Sequence, residues 1–85
     1  MNDPHFQIEY GASALDDLDG LPDRERVQVL RKIERLKFGL QGNIKRLREA
    51  ESMFRLRMGY YRILFDVEED VIIIRRIGHR KDVYD

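Results

Sequence analysis

The sequence predicts an α+β fold, with elements in the order β-α-α-β-β-β and two helices packed on one face of a mostly antiparallel four-stranded sheet. Three observations carry that prediction. Two segments, one carrying Ala14, Leu15 and Leu18 and one from about residue 24 to residue 40, space their apolar residues as helices do, while the last third of the chain alternates with a period of two. Gly-containing punctuation separates the alternating runs closely enough for hairpins. The 85 residues, 42% of them hydrophobic, suffice for one two-layer core, so residues 1–85 are read as a single domain.

"HFQIEY" opens the chain with Phe6, Ile8 and Tyr10 on one side, which is a strand pattern. Gly11 breaks it. Ser13 is read as the N-cap of a short helix carrying Ala14, Leu15 and Leu18. In "GLPD" the glycine ends that helix, and Pro22 followed by Asp23 opens the next. Over residues 24–40, Val27, Leu30, Ile33, Leu36 and Leu40 form the expected core-facing stripe, with Lys37 beside it. Gly39 and Gly42 end this helix. "NIKRLREAES" then reads as a connection, with Leu47 turned toward the core.

Residues 54–58 and 61–67 alternate on either side of Gly59-Tyr60, a pair that suits a two-residue type II′ turn. With that turn, Met58 faces Tyr61, Arg57 faces Arg62 and Leu56 faces Ile63. Phe54, Leu56, Met58, Tyr61, Ile63 and Phe65 then share the helix-covered face, and Arg55, Arg57 and Arg62 fall on the other. "VEED" turns the chain again. "VIIIRRI" is apolar on both faces in its first half, which places it inside the sheet. "GHRKDVYD" is a tail.

Charge is segregated along a chain that is neutral overall. Residues 1–23 carry six acids and no Lys or Arg; residues 24–40 and 41–62 each carry six bases and two acids; residues 63–85 carry four bases and six acids. On residues 24–37 the charges fit solvated helix faces as readily as a binding surface. Arg57 opposite Arg62 is a sharper signal, because like charges directly across a sheet repel. Either Asp66, on the same face, neutralises them or an anionic ligand does, and guanidinium forks match phosphate oxygens. Both sources stay open, with a nucleic-acid backbone the leading ligand. His79 can move protons near neutral pH or serve as a hydrogen-bonded structural residue. Glu49 and Glu51 could supply a carboxylate base or balance charge.

Cysteine is absent, which excludes disulfides and thiolate chemistry, and no His cluster has metal spacing. Phosphate-binding glycine loops and a Ser-His-Asp pattern are also missing. No apolar run approaches the roughly 20 residues of a membrane span. A cytoplasmic protein with no cofactor, no metal and no membrane partner is expected.

"FRLRMGYYRILFDV" followed by "IIIRRIGHRKDVYD" resembles the C-terminal half of the RelE/ParE toxin superfamily. The closer likeness is to its RelE-type branch, the ribosome-dependent mRNA interferases of toxin–antitoxin pairs. The specific part spans residues 54–84, where "RxRxGxYRI" and "IGHRxxVY" occur in order; "ASALDDLDGLP" and the second helix agree more loosely. The resemblance implies a microbial-ribonuclease-like domain that cuts mRNA in the ribosomal A site, among ribosomal RNA. The substrate's own 2′-hydroxyl would attack the adjacent phosphate, without a metal. It implies catalytic roles for Arg62, Arg80, Tyr84 and His79, and phosphate binding by Arg55 and Arg57. The better-understood pattern has lysines where this chain has Arg55 and Arg57. Arginine holds phosphate but does not give up its proton, so the base role passes to His79, Tyr84 or a glutamate. The resemblance also implies a cognate antitoxin, small and acidic or amphipathic, that covers the basic surface and competes with nucleic acid. Two relatives of this reading share the fold: a ParE-type gyrase inhibitor, and a degenerate toxin that only binds its antitoxin.

Overall fold

The computed structural model describes residues 3–47 and 54–82. Its elements are β1 (Gln7–Tyr10), α1 (Ala12–Asp19), α2 (Asp23–Glu34) running into a 3-10 turn (Arg35–Phe38), β2 (Ile44–Arg46), β3 (Phe54–Met58), β4 (Tyr61–Glu68) and β5 (Val71–His79). The fold is α+β as expected, with five strands where four were predicted. The sheet order is β1-β5-β4-β3-β2; β1 runs parallel to β5 and every other neighbour is antiparallel. The added strand is β2, three residues long, inside the segment read as a connection. Ile44 is its residue packed against the core, while Leu47 is only half-buried.

The core lies between the helices and one sheet face. Ala14, Leu18, Val29, Ile33 and Leu36 come down from the helical side, and Leu56, Ile63, Phe65, Ile72, Ile74 and Ile77 rise from the sheet. The α2 stripe is therefore Val29-Ile33-Leu36, with Leu30 half-buried at its border, and not the stripe through Val27 and Leu40. Val27 sits two residues, or about 200°, around the helix from Val29, so both cannot face the sheet. It is 47% exposed. Leu40 lies past Gly39, where the helical path has ended, and is exposed too. Helix α1 starts two residues earlier than predicted: Gly11 is its N-cap, without a side-chain cap bond, and Ser13 lies inside the first turn. Leu15 points outward, leaving Ala14 and Leu18 as the buried pair.

Strand ends are tied by specific bonds. Lys37 O accepts from His5 N–H at 2.6 Å and Phe6 N–H at 3.0 Å, joining the end of the helical layer to the start of β1. Arg26 closes the α1–α2 corner: its guanidinium donates to Leu18 O (2.9 Å), Leu21 O (2.8 Å) and Asp19 O (3.4 Å), carbonyls at and just beyond the end of α1. At least this one of the bases in the central segment is structural. Beyond Tyr10, β1 no longer covers β5, and Asp17 of α1 takes over. Its Oδ2 accepts the Ile77 N–H at 2.8 Å and Arg76 Nε–H at 2.9 Å.

Candidate functional site

The β3–β4 hairpin forms in the register that alternation predicts: Phe54↔Phe65, Arg55↔Leu64, Leu56↔Ile63, Arg57↔Arg62 and Met58↔Tyr61. Gly59 has φ +57 and Tyr60 does not have positive φ, the combination of a II′ turn. A Cβ at Gly59 would meet nothing within 4 Å, so it is the dihedral and not space that demands glycine. Phe54 and Phe65 stack across the far end, 5.3 Å between centroids.

Arg57 and Arg62 stand opposite each other on the face away from the core, yet they are not two arms of one open clamp. Arg62 is 2% exposed, the one buried charged side chain among the described residues. Its Nη1 donates to Gly59 O at 2.8 Å and Tyr61 O at 2.9 Å, so the guanidinium folds back on the turn it follows. Carbonyl dipoles of the turn thus share in balancing positive charge that the sequence reading left to Asp66 or a ligand. Asp66 itself pairs with Arg75, 2.9 Å from Oδ2 to Nε. Arg57 is exposed, and its side chain makes no hydrogen bond or ion pair among the described residues. Arg55 is half-buried and faces Lys45 of β2 across the sheet.

His79 lies on the other face. Between Leu64 and Phe65 the β4–β5 register slips: Leu64 opposes Arg76, Phe65 opposes Ile74, and Arg75 is the extra residue. Such a bulge resets the alternation. Without it, Arg76 and Gly78 would follow Ile72 and Ile74 into the core, and His79 would share the face of Arg57. With it, Ile77 returns to the core and His79 aligns with Tyr61 and Met58, while Gly78 aligns with Arg62. The face on which His79 stands is therefore set by this one residue.

What gathers His79 and Arg80 is Tyr60. The imidazole stacks parallel to the Tyr60 ring, centroids 5.7 Å apart and 8° between planes, and its edge meets Tyr61 at 6.3 Å. The Arg80 guanidinium carbon lies 5.4 Å from the Tyr60 centroid, and Arg80 N–H donates to Tyr60 O at 2.7 Å. Lys81 N–H donates to His79 Nδ1 at 3.2 Å. That bond assigns the lone pair to Nδ1 and puts the proton of the neutral ring on Nε2. To accept a proton, His79 must release Lys81; as it stands, it offers a donor.

Of the residues predicted for the site, the structure brings together His79 and Arg80 around the turn, sets Arg57 and Arg62 in one row of the opposite face, and puts Arg55 in the next row. Tyr84, with Glu49 and Glu51, lies outside the described residues. Sequence reasoning missed Tyr60, Lys45, Arg75 and Arg76. The Arg75-Arg76 doublet was a usable signal: two adjacent charges inside an alternating apolar strand, with core isoleucines three apart at 74 and 77, mark a bulge. Among the described residues no group of three or more His, Asp or Glu is placed to hold a metal ion, and no helix is long and apolar enough to cross a membrane.

Comparison with known proteins agrees with this geometry over nearly the whole chain. The family model of the ParE toxin of type II toxin–antitoxin systems, parDE, matches residues 8–84. Toxin RelE3 of Methanocaldococcus jannaschii is 31% identical over 85 residues, which cover 94% of this chain and 97% of that protein. In the crystal structure of the RelB–RelE antitoxin–toxin complex from Methanococcus jannaschii, a chain 31% identical superposes with a TM-score of 0.74, covering 91% of this chain and 95% of its own. A chain of the Mycobacterium tuberculosis RelBE2 toxin–antitoxin complex, 28% identical, gives 0.78 over 91% of this chain and 92% of its own. The fold is therefore a shared one, and the chain belongs to the RelE/ParE superfamily of toxins from type II toxin–antitoxin systems.

Proposed function

We propose that this toxin is a metal-independent, ribosome-dependent endoribonuclease that cleaves mRNA in the ribosomal A site and so halts translation. The observation that carries the reading is the hairpin end. There Arg80, with no carboxylate partner among the described residues, and a histidine with a defined tautomer are held on one aromatic ring, while Arg57 stands unpaired among the described residues on the neighbouring row. Cationic forks without internal counterions suit phosphate, and a histidine beside them suits proton movement.

In this reading Arg57 and Arg80 hold the RNA backbone and stabilise charge on the phosphate oxygens as the 2′-hydroxyl attacks. A cyclic phosphate and a 5′-hydroxyl are left. Arg55 and Lys45 extend the basic track toward the sheet edge. Arg62 acts as a positioning residue that fixes the turn carrying Tyr60. Arginines at 55 and 57 cannot take the hydroxyl proton; of the side chains gathered at the hairpin end, the His79 imidazole is the one able to accept it, through Nδ1 once Lys81 lets go. The RelB–RelE and RelBE2 complexes support a cognate antitoxin as the partner that covers this basic surface.

The test is to induce the protein in cells and map mRNA 5′ ends. In-frame cuts at ribosome-occupied positions are expected, and co-expressed antitoxin should abolish them. Intact mRNA together with DNA breaks would replace this reading by gyrase inhibition, which the ParE family match favours. Intact mRNA and intact DNA would leave antitoxin binding as the remaining role.

A further inference from the structure

Tyr60 has a side chain that its turn does not require. A II′ turn needs glycine at its first central position, which Gly59 supplies, and small or polar residues ordinarily follow. Here an aromatic ring follows, and at 64% exposure it is the most exposed large hydrophobic side chain among the described residues. Three contacts converge on it: the parallel His79 ring at 5.7 Å, the Arg80 guanidinium at 5.4 Å, and the Arg80 N–H bond to its carbonyl at 2.7 Å. His79 is braced in turn by the edge of Tyr61 and by Lys81 N–H. The result is a solvent-facing aromatic ledge, braced by His79 and carrying a cation over part of its ring. Such ledges stack unpaired nucleobases, because every base has a π face and the neighbouring cation meets the adjoining phosphate.

We propose that Tyr60 is a base-stacking residue of this toxin: with His79 and Arg80 it forms a platform for one unpaired nucleobase of single-stranded RNA and sets the adjoining phosphate against Arg80. This rests on the ribonuclease reading and adds to it a subsite for a base. It also separates Tyr60 from the arginines, which meet only the backbone and are indifferent to whether bases are attached.

The experiment compares a labelled six-nucleotide single-stranded RNA with its abasic ribose-phosphate counterpart, by fluorescence anisotropy at low salt. The wild-type toxin should prefer the base-bearing RNA by about 5- to 100-fold, the range expected for one stacked base. Tyr60→Phe keeps the preference. Tyr60→Leu and Tyr60→Ala lose it, binding the base-bearing and abasic strands with equal affinity, and thermal melts confirm that both are folded. A purely structural Tyr60 would lower the melting temperature without moving the base preference. Retention of the preference by Tyr60→Leu overturns the proposal, as does a wild type that shows no preference or binds neither strand. Mapping of 5′ ends with the wild type separates the outcomes: cuts without base preference overturn the platform alone, and no cuts overturn the ribonuclease reading.

Discussion

Replacing Arg62 by alanine should cost this toxin much of its stability, and that loss should account for any loss of toxicity. The side chain is 2% exposed and gives two charge-assisted hydrogen bonds, to Gly59 O at 2.8 Å and Tyr61 O at 2.9 Å. At about 1.5 kcal/mol or more for each such bond, with a further term for the space vacated by the buried stem, the expected cost is about 3–5 kcal/mol. A domain of this length has on the order of 4–13 kcal/mol in total. At about 4–8 °C per kcal/mol, the melting temperature should fall by about 12 °C or more. Arg62→Lys, with one ammonium in place of a fork, should lose roughly half as much, and Arg62→Met should restore the packing but not the bonds. Circular dichroism melts and growth arrest, measured on the same variants, check this. If Arg62→Ala melts within about 4 °C of the wild type yet is no longer toxic, Arg62 acts on the substrate directly, and the reasoning that makes it a turn-fixing residue is refuted.

Tyr10 carries a buried hydroxyl without a hydrogen-bond partner among the described residues; burial first, and then the charge of Glu34, pushes its pKa from 10.0 up to about 12. A raised folded-state pKa means stability that is intact below pH 10 and is lost as the pH rises through 12, by up to roughly 2–3 kcal/mol. Tyr10→Phe should therefore gain about 1 kcal/mol at neutral pH, with a margin over wild type that widens between pH 9 and 11.5 in thermal melts. Asp17→Ala should cost about 1–3 kcal/mol, because it strips the acceptor from the Ile77 N–H and the carboxylate that holds Arg76, whose pKa is raised by that hydrogen bond and charge. Denaturant melts should show a lower midpoint at unchanged slope, with Asp17→Asn in between. Arg57→Ala should leave stability within about 0.5 kcal/mol. It should lower the slope of log affinity against log salt for single-stranded RNA by roughly one unit; an unchanged slope would remove Arg57 from the phosphate track.

How much of this was legible before any coordinates depended on whether the signal was periodic. The hairpin was readable residue by residue, since period-two alternation and Gly59 leave one register that buries Phe54, Leu56, Ile63 and Phe65 together. Strand β2 was not, because three residues with two exposed bases carry no period. The α2 stripe was ambiguous for a geometric reason: Val27-Leu30 and Val29-Ile33-Leu36 both satisfy helical spacing, and only packing against the sheet selects between them. The burial of Arg62 left no trace in sequence, since its bonds to Gly59 O and Tyr61 O go to main-chain carbonyls that any residues would supply. The Arg57–Arg62 opposition was legible, while its resolution was not. Contact between His79 and Tyr60 depends on two turns and a bulge acting together, which no single motif encodes.

The bulge links fold and site most directly. Its two arginines take separate acids, Asp66 of β4 for Arg75 and Asp17 of α1 for Arg76, so the extra residue is held from both sides of β5. One consequence is structural: Ile77 returns to the core, and the β5 edge beyond Tyr10 finds a substitute acceptor in Asp17. The other is chemical. The same one-residue shift moves His79 out of the row system of Arg57 and Arg62 and into that of Tyr61, where the hairpin tip can reach it. The Arg57 side chain and the His79 imidazole thus lie on opposite faces of one sheet, and His79 is gathered with Arg80 around the Tyr60 ring at its end. A substrate that engages both must wrap the tip of the hairpin, and a single strand with unstacked bases can follow that path where a duplex cannot.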